Sequence, residues 1–438
     1  MADLRPFRAF RYDPQQVAVA QVVTQPYDKI SPAMQDRYYA ASPYNLVRII
    51  LGRRGENDDS GDNVYSRAAA SFRAWREAGI LRQDSQPSIY AYAQRFRLPG
   101  DHRELERRGF IAIGRIEDYS AKVVYRHEQT LAKPKADRLD LLRATRAHFG
   151  QLFMLYEDSG EIDSLLVSGA EPTTSVTDEY GVLHQLWQVS DSSVVEAVRA
   201  RMKDKRLIIA DGHHRYETAV NYRNERRAQA SSGKTGGPDT PCEFVMMTLV
   251  SMNSPGLVIL PTHRVVHSLQ SFSAEEFRKS AGEYFEVREI DSALEAPAAT
   301  ALLHDAGRSG TGLLAVTPSR AFLLYKPKPA GSRFLAGLSP RQQSLDVVQL
   351  HKCVLEGVLK LSEDSIRDQQ NLSYVRDAAE ALAQVRAGSG PRADIAFLMN
   401  PCRVEQVRDI AFAGEVLPQK STDFFPKLLS GLTIYVLD

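Results

Sequence analysis

The chain has 438 residues, 43% hydrophobic and 25% charged, so it is globular in composition and too long for one growing core. With 55 Lys and Arg against 54 Asp and Glu, the net charge of +1 gives no whole-molecule field for nucleic acid or an anionic membrane, and any anion site must be local. Cys242, Cys353 and Cys402 are scattered and odd in number, which excludes a disulfide framework and reads as ordinary thiols. With no signal-like N-terminus and no apolar run of about 18 residues, the expectation is a cytoplasmic protein without membrane or nucleic-acid partners, for which a homo-oligomer remains open.

In chain order, Gln21–Pro32 runs into a proline-rich turn, and a helix starts behind Ser31 with Pro32 at its first position. Leu46–Leu51 reads as a strand, Gly52–Asp62 as a surface loop, and Val64–Leu81 as a helix. Strands are expected at Ser88–Phe96, Arg108–Ile116, Gln151–Tyr156, Gly181–Val189 and Arg206–Ala210, with a helix over Arg215–Ala228. Gln229–Thr240 is the most loop-like stretch. Phe244–Val250 and Leu257–Leu260 read as strands joined at Asn253–Gly256. Beyond residue 271, helices at Glu275–Phe285, Ser344–Leu359, Ser373–Arg386 and Val404–Ala413 alternate with strands at Gly312–Thr317, Ala321–Lys326 and Ile395–Met399. The class is therefore mixed α/β. The expected lobes are 1–270, carrying the chemistry, and 271–438, an α/β lobe contributing a loop at Lys420–Lys427.

Asp211-Gly212-His213-His214-Arg215 lies where a strand hands over to a helix. Free N–H groups and the positive end of the helix dipole favour an anion at such a junction, Gly212 permits close approach, and the basic side chains add donors. A capped, solvated helix end is the bland reading. His214 and Glu217, three apart on a helix, could seat one metal with help from elsewhere, although zinc enzymes of this style usually offer two histidines four apart.

Six basic side chains fall between Arg126 and Arg146, among them Lys133, Lys135, Arg138 and Arg143, a density suited to phosphate or equally to a solvated basic helix. Within this segment, His127 and Glu128 are the general-base candidates. Smaller signals are His263 in Pro261–Arg264, and Lys420, Ser421, Thr422 and Lys427 in the proline-bounded loop Leu417–Lys427. Gly233-Lys234-Thr235 mimics the end of a P-loop, but it follows a helix and lacks the first glycine.

Several blocks together carry a resemblance. Gln25-Pro26-Tyr27-Asp28, Asn45–Arg48, Arg126–Thr130 with Asp137-Arg138-Leu139, Ala210–Ala219, and Pro418–Lys427 with Gly431-Leu432 resemble the bacterial family called domain of unknown function 1015. Leu417 and Asp423 depart from its pattern without replacing a phosphate-handling side chain. The Asp-Gly-His-His-Arg block is also similar to the phosphate-binding box of the ParB and sulfiredoxin-like superfamily, which includes nucleotide-binding partition proteins and kinases of free serine.

That resemblance implies a ParB/sulfiredoxin-like catalytic core packed with a C-terminal α/β lobe, and phosphoryl transfer on serine or phosphoserine in an unassigned direction. Asp211, His213, His214 and Arg215 would handle the phosphoryl group, with Gly212, Arg126, Arg138, Arg143, His263, Lys420, Ser421, Thr422 and Lys427 binding phosphate or substrate. Glu128 or His127 would be the base, and Mg²⁺ with a nucleotide (AMP, ADP or ATP) the accompanying cofactor. The rival expectations are a non-catalytic nucleotide-binding regulator and a metal-dependent hydrolase.

Overall fold

The computed structural model describes residues 1–100, 103–128, 132–166, 169–231, 237–386 and 393–437, with no side-chain description at 132–135 and 231. The side chains of Lys133 and Lys135, residues Gln129 and Thr130, and the centre of the Gln229–Thr240 loop therefore lie outside it. The chain forms two compact units. The first comprises Met1–Arg126, Thr130–Val258 and Pro426–Asp438; the second comprises His127–Gln129 and Ile259–Phe425. A single split at residue 270 misses these exchanges.

A nine-stranded mixed sheet organises the first unit. Its main order is Val124–Tyr125, Leu207–Asp211, Leu152–Tyr156, Phe244–Ser251, Glu104–Arg115, Ile89–Arg97, Leu183–Val189, Thr174–Thr177, with Leu4–Arg5 beside Glu104–Arg115. Neighbours are antiparallel except for two parallel pairs, Leu207–Asp211 with Val124–Tyr125 and Phe244–Ser251 with Leu152–Tyr156. Alternate residues of the central strands, Phe110, Ala112, Leu152, Met154, Met247 and Leu249, supply one continuous apolar core. Val195, Val198 and Met202 of the helix Ser192–Met202, and Tyr216 and Ala219 of the helix His213–Ser231, close over it. A second cluster gathers Phe72 and Trp75 of the helix Val64–Glu77 with Leu46, Ile49, Ile50, Leu141 and Phe149.

The second unit has a six-stranded sheet ordered Phe285–Ile290, Ala321–Pro327, Gly312–Val316, Ala393–Met399, His263–His267, Leu372–Val375, with every neighbour antiparallel. Leu303, Leu314, Leu323, Leu382 and Leu398 are among its core. Helices and strands alternate in both units, so the class is mixed α/β, as expected.

Local differences from the sequence reading have physical causes. Leu46–Leu51 is not a strand but contains a helical turn, Val47–Ile50, started by Asn45 Oδ1 accepting the Val47 N–H at 3.0 Å. A short, mostly buried run has no periodicity to separate helix from strand. The Ser373–Arg386 stretch divides into a strand, Leu372–Val375, and a helix, Ala378–Arg386, with Asp377 Oδ1 accepting the Glu380 N–H at 2.9 Å between them. The Ser344–Leu359 helix is α over Asp346–Gln349 and widens to a π-helix over Leu350–Val358. Phe244–Ser251 and Val258–Leu260 do not pair with each other, since the latter joins Asp423–Phe425. No helix of the described residues is long and apolar enough to cross a membrane.

Candidate functional site

The strand Leu207–Asp211 ends in a register shift between Ile209 and Asp211, a bulge that re-aims its last side chain. Gly212 follows at φ +98°, a conformation open to glycine. A Cβ there would stand 3.0 Å from both the Arg215 guanidinium and Leu152 Cδ2, so space and conformation both require glycine. The helix then begins at His213, placing His213, His214 and Arg215 in its first turn, where N–H groups lack intrahelical partners.

Asp211 Oδ2 accepts from Arg215 Nη2 at 2.9 Å, and Asp211 Oδ1 lies 3.7 Å from Lys427 Nζ. Arg215 is fixed from its other side, donating through Nη1 to the Gln151 carbonyl at 2.5 Å. Burial alone would raise the Asp211 carboxyl pKa, but Lys427, Arg215, Lys29 and His213 together hold it well below the carboxylate range. The site is thus one carboxylate on which four basic groups converge. Its two oxygens already face Arg215 and Lys427, an arrangement that does not fit a protein-held Mg²⁺. Among the described residues no group of three His, Cys, Asp or Glu could hold a metal.

Arg138 belongs to the same region of the first unit. It stacks 4.2 Å over the Tyr27 ring and donates to the Ile50 carbonyl at 2.6 Å, and with Tyr27, Gly150, Arg215 and Ser430 it lines one cleft. Burial and Asp28 push the Tyr27 phenol upward, with Arg138 and Arg215 opposing them. Arg126 lies over Tyr119 and 3.6 Å from Glu217, one turn along the helix from His213. Arg143 pairs with Asp140 at 2.7 Å and Glu225 at 2.5 Å. Glu225 is twelve residues beyond His213, roughly 18 Å along the helix axis, so Arg143 is not brought to the junction.

The remaining candidates lie in the second unit. His127 is fully buried, with Nε2 2.9 Å from Thr422 Oγ1 and its ring edge-on to Phe424. Its carbonyl accepts the Leu417 N–H at 2.8 Å, and Glu128 bridges Leu417. Glu128 Oε1 accepts the Lys420 N–H at 3.2 Å. Lys420 has φ +57°, while the buried Ser421 turns its hydroxyl to the Pro418 carbonyl. Arg264, buried beside them, donates to the Lys420 carbonyl at 3.1 Å. The proline-bounded loop is therefore folded around His127 and Glu128. His263 sits in the sheet, its Nδ1 accepting the Met399 N–H at 3.2 Å, and burial drives its pKa down to about 4.

Sequence reasoning passed over Lys29 and Arg107. Lys29 follows the quoted Gln25–Asp28 block and acts on Asp211. Arg107, 1% exposed, is a buried guanidinium in the charged first half of its strand, between Glu106 and Arg108, so the local pattern did not set it apart.

The family model described as "Protein of unknown function (DUF1015)" matches residues 4–348. The chain belongs to that family. No curated protein matches it. Solved structures similar to it include a conserved hypothetical protein from Pyrococcus furiosus, at 12% identity and TM-score 0.35, covering 71% of this chain and 91% of that one. A free serine kinase in complex with AMP is similar at 12% identity and TM-score 0.36, covering 72% and 88%. SbnI with a C-terminal truncation, from Staphylococcus aureus, is similar at 10% identity and TM-score 0.34, covering 73% and 85%.

Proposed function

We propose that this DUF1015 protein is a phosphoryl-transfer enzyme acting on a small hydroxy amino acid or its phosphate, with serine and phosphoserine as the first choice. The observation that carries the reading is the placement of Arg215 at 2.9 Å and Lys427 at 3.7 Å from the Asp211 carboxylate, at a glycine-bearing strand-to-helix junction. Arginine and lysine side chains at the positive end of a helix match the oxygens of a phosphoryl group.

In this assignment Arg215, Lys427, His213, His214 and the backbone at Gly212 neutralise phosphate oxygens, and Arg138 beside Tyr27 adds a further guanidinium. Asp211 orients the cations around it. Arg126 acts at the margin of the site, and Arg143 and His263 are structural. The family resemblance calls for a glutamate base, and Glu128 is the candidate for it; within the second unit it lies against the loop carrying Lys420, Ser421 and Thr422, which His127 holds through Thr422. In the kinase direction Glu128 accepts the hydroxyl proton while the substrate oxygen bonds to phosphorus and the leaving oxygen keeps its electron pair; in the phosphatase direction water takes the place of the hydroxyl. A nucleotide as phosphoryl partner follows from the family resemblance, and no step is derived through Mg²⁺.

The test is a turnover panel on the purified full chain. Serine with ATP or ADP, and phosphoserine with and without AMP or ADP, are incubated while serine, phosphoserine, phosphate and nucleotide are followed. Turnover of serine or phosphoserine supports the assignment. Nucleotide-dependent thermal stabilisation with no turnover would replace it with a binding role.

A further inference from the structure

A buried polar chain in the first unit lies outside the roles assigned above. Gln94 and Arg107 are each 1% exposed and stand opposite each other on the adjacent strands Ile89–Arg97 and Glu104–Arg115. Gln94 Nε2 donates to the Lys427 carbonyl at 2.8 Å, and Arg107 Nη2 donates to the Pro426 carbonyl at 2.5 Å. Arg107 Nε also donates to Gln94 Oε1 at 3.0 Å, which fixes the amide orientation so that its nitrogen faces Lys427. Behind Gln94, His184 presents Nδ1 to the Tyr92 hydroxyl at 2.6 Å and directs Nε2 to Asp178 Oδ2 at 3.2 Å. The same Asp178 oxygen accepts from Gln25 Nε2 at 3.0 Å.

The chain ties two segments together. At one end is Gln25, four residues before Lys29; at the other is the backbone of Lys427. Both lysines act on Asp211. A lysine side chain has four rotatable bonds and loses much entropy when held. Clamping its own carbonyl and the preceding one with side chains from a rigid sheet removes the backbone share of that freedom before any anion arrives.

We propose that Gln94 and Arg107 are positioning residues of the anion site, clamping the Pro426–Lys427 backbone so that the Lys427 ammonium stands at Asp211, with Asp178 and His184 bracing the clamp. This rests on the phosphoryl-handling reading of the same site. It adds which side chains make Lys427 a fixed cation.

The experiment compares full-length wild type with Lys427→Met, Gln94→Leu, Arg107→Lys and the double variant Gln94→Leu/Lys427→Met. Dissociation constants for inorganic phosphate and phosphoserine are measured by calorimetry, with thermal unfolding alongside. Arg107→Lys keeps the charge but cannot reach both Gln94 and the Pro426 carbonyl. Folded Gln94→Leu and Arg107→Lys should bind roughly ten-fold more weakly, and Gln94→Leu should add little once Lys427 is gone. Full additivity of the two losses, or unchanged affinity in a folded Gln94→Leu protein, overturns the clamp and leaves the phosphoryl reading standing. If wild type binds neither ligand, the phosphoryl reading fails. The clamp is then decided by a crystal structure of Gln94→Leu: displacement of Lys427 from Asp211 supports it, and an ammonium still about 4 Å from the carboxylate overturns it.

Discussion

The Lys427 ammonium stands 3.7 Å from the Asp211 carboxylate, joining positions more than two hundred residues apart in one unit of the fold. Removing the lysine leaves Asp211 with Arg215 at 2.9 Å, so the carboxylate keeps a partner while the site loses a cation. Lys427→Met is therefore expected to fold and to bind phosphoserine at least about ten-fold more weakly, roughly 1.4 kcal/mol, as measured by calorimetry. Binding of wild-type strength would remove Lys427 from the site.

Asp211 also predicts an acid response. Its pKa is depressed in the folded chain, so it contributes stability that is fully present above its unfolded value, about 3.9, and is lost as the pH falls below that value. Denaturant unfolding of wild type and Asp211→Asn should differ by a constant amount above about pH 5, with the gap narrowing below about pH 4. A gap that stays constant down to pH 2.5 would contradict the assigned ion pairing.

His263 titrates in a different window. Burial lowers its pKa to about 4, against an unfolded value near 6.5, so the unfolded chain binds the extra proton first. Stability from neutral His263 is complete above about pH 6.5 and falls between pH 6.5 and 4, by roughly 3 kcal/mol at most. Unfolding of wild type should steepen with acid across that range, and His263→Gln should flatten the slope. Phosphoserine affinity of the folded variant should stay within about two-fold of wild type.

Gly212→Ala tests the junction itself. The φ of +98° and a Cβ 3.0 Å from the Arg215 guanidinium both oppose a side chain, so a cost of about 1–2 kcal/mol in urea unfolding is expected. Phosphate binding should weaken as well, because relief of the contact displaces Arg215.

Glu128→Gln tests the chemistry. The amide can still accept the Lys420 N–H, which now lies 3.2 Å from the carboxylate, so the loop should keep its shape. The expected result is a kcat lower by about 10²–10⁴ with KM within a few-fold, read in whichever direction wild type turns over. Equal kcat in wild type and variant would move the base elsewhere.

The strand-to-helix junction was legible because each part left a local mark: an apolar run ending at Ala210, a glycine, and a helical period after it. The expected helix start at Arg215 was two residues late because histidines give no periodicity signal. The convergence of Lys427 and Lys29 on Asp211 had no local signature, since loop closure over such separations depends on tertiary packing. Leu46–Leu51 was misread for the opposite reason, being a short, mostly apolar run interrupted only by Arg48, too brief to show a period. The density of basic residues between Arg126 and Arg146 suggested one patch. In the fold Arg138 stacks on Tyr27 while Arg143 pairs with Glu225, because residues five apart on a helix point about 140° away from each other.

The return of Pro426–Asp438 to the first unit sets an order on synthesis. Every strand of the nine-stranded sheet has been translated by Ser251, yet the segment bearing Lys427, and Ile434 whose carbonyl accepts the Phe10 N–H, is made only after the second unit. A chain cut short within residues 259–425 holds Asp211, Arg215 and Lys29 without Lys427. Such partial products hold the Asp211–Arg215 pair, and the ammonium of Lys427 joins it only after residues 259–425 have been made.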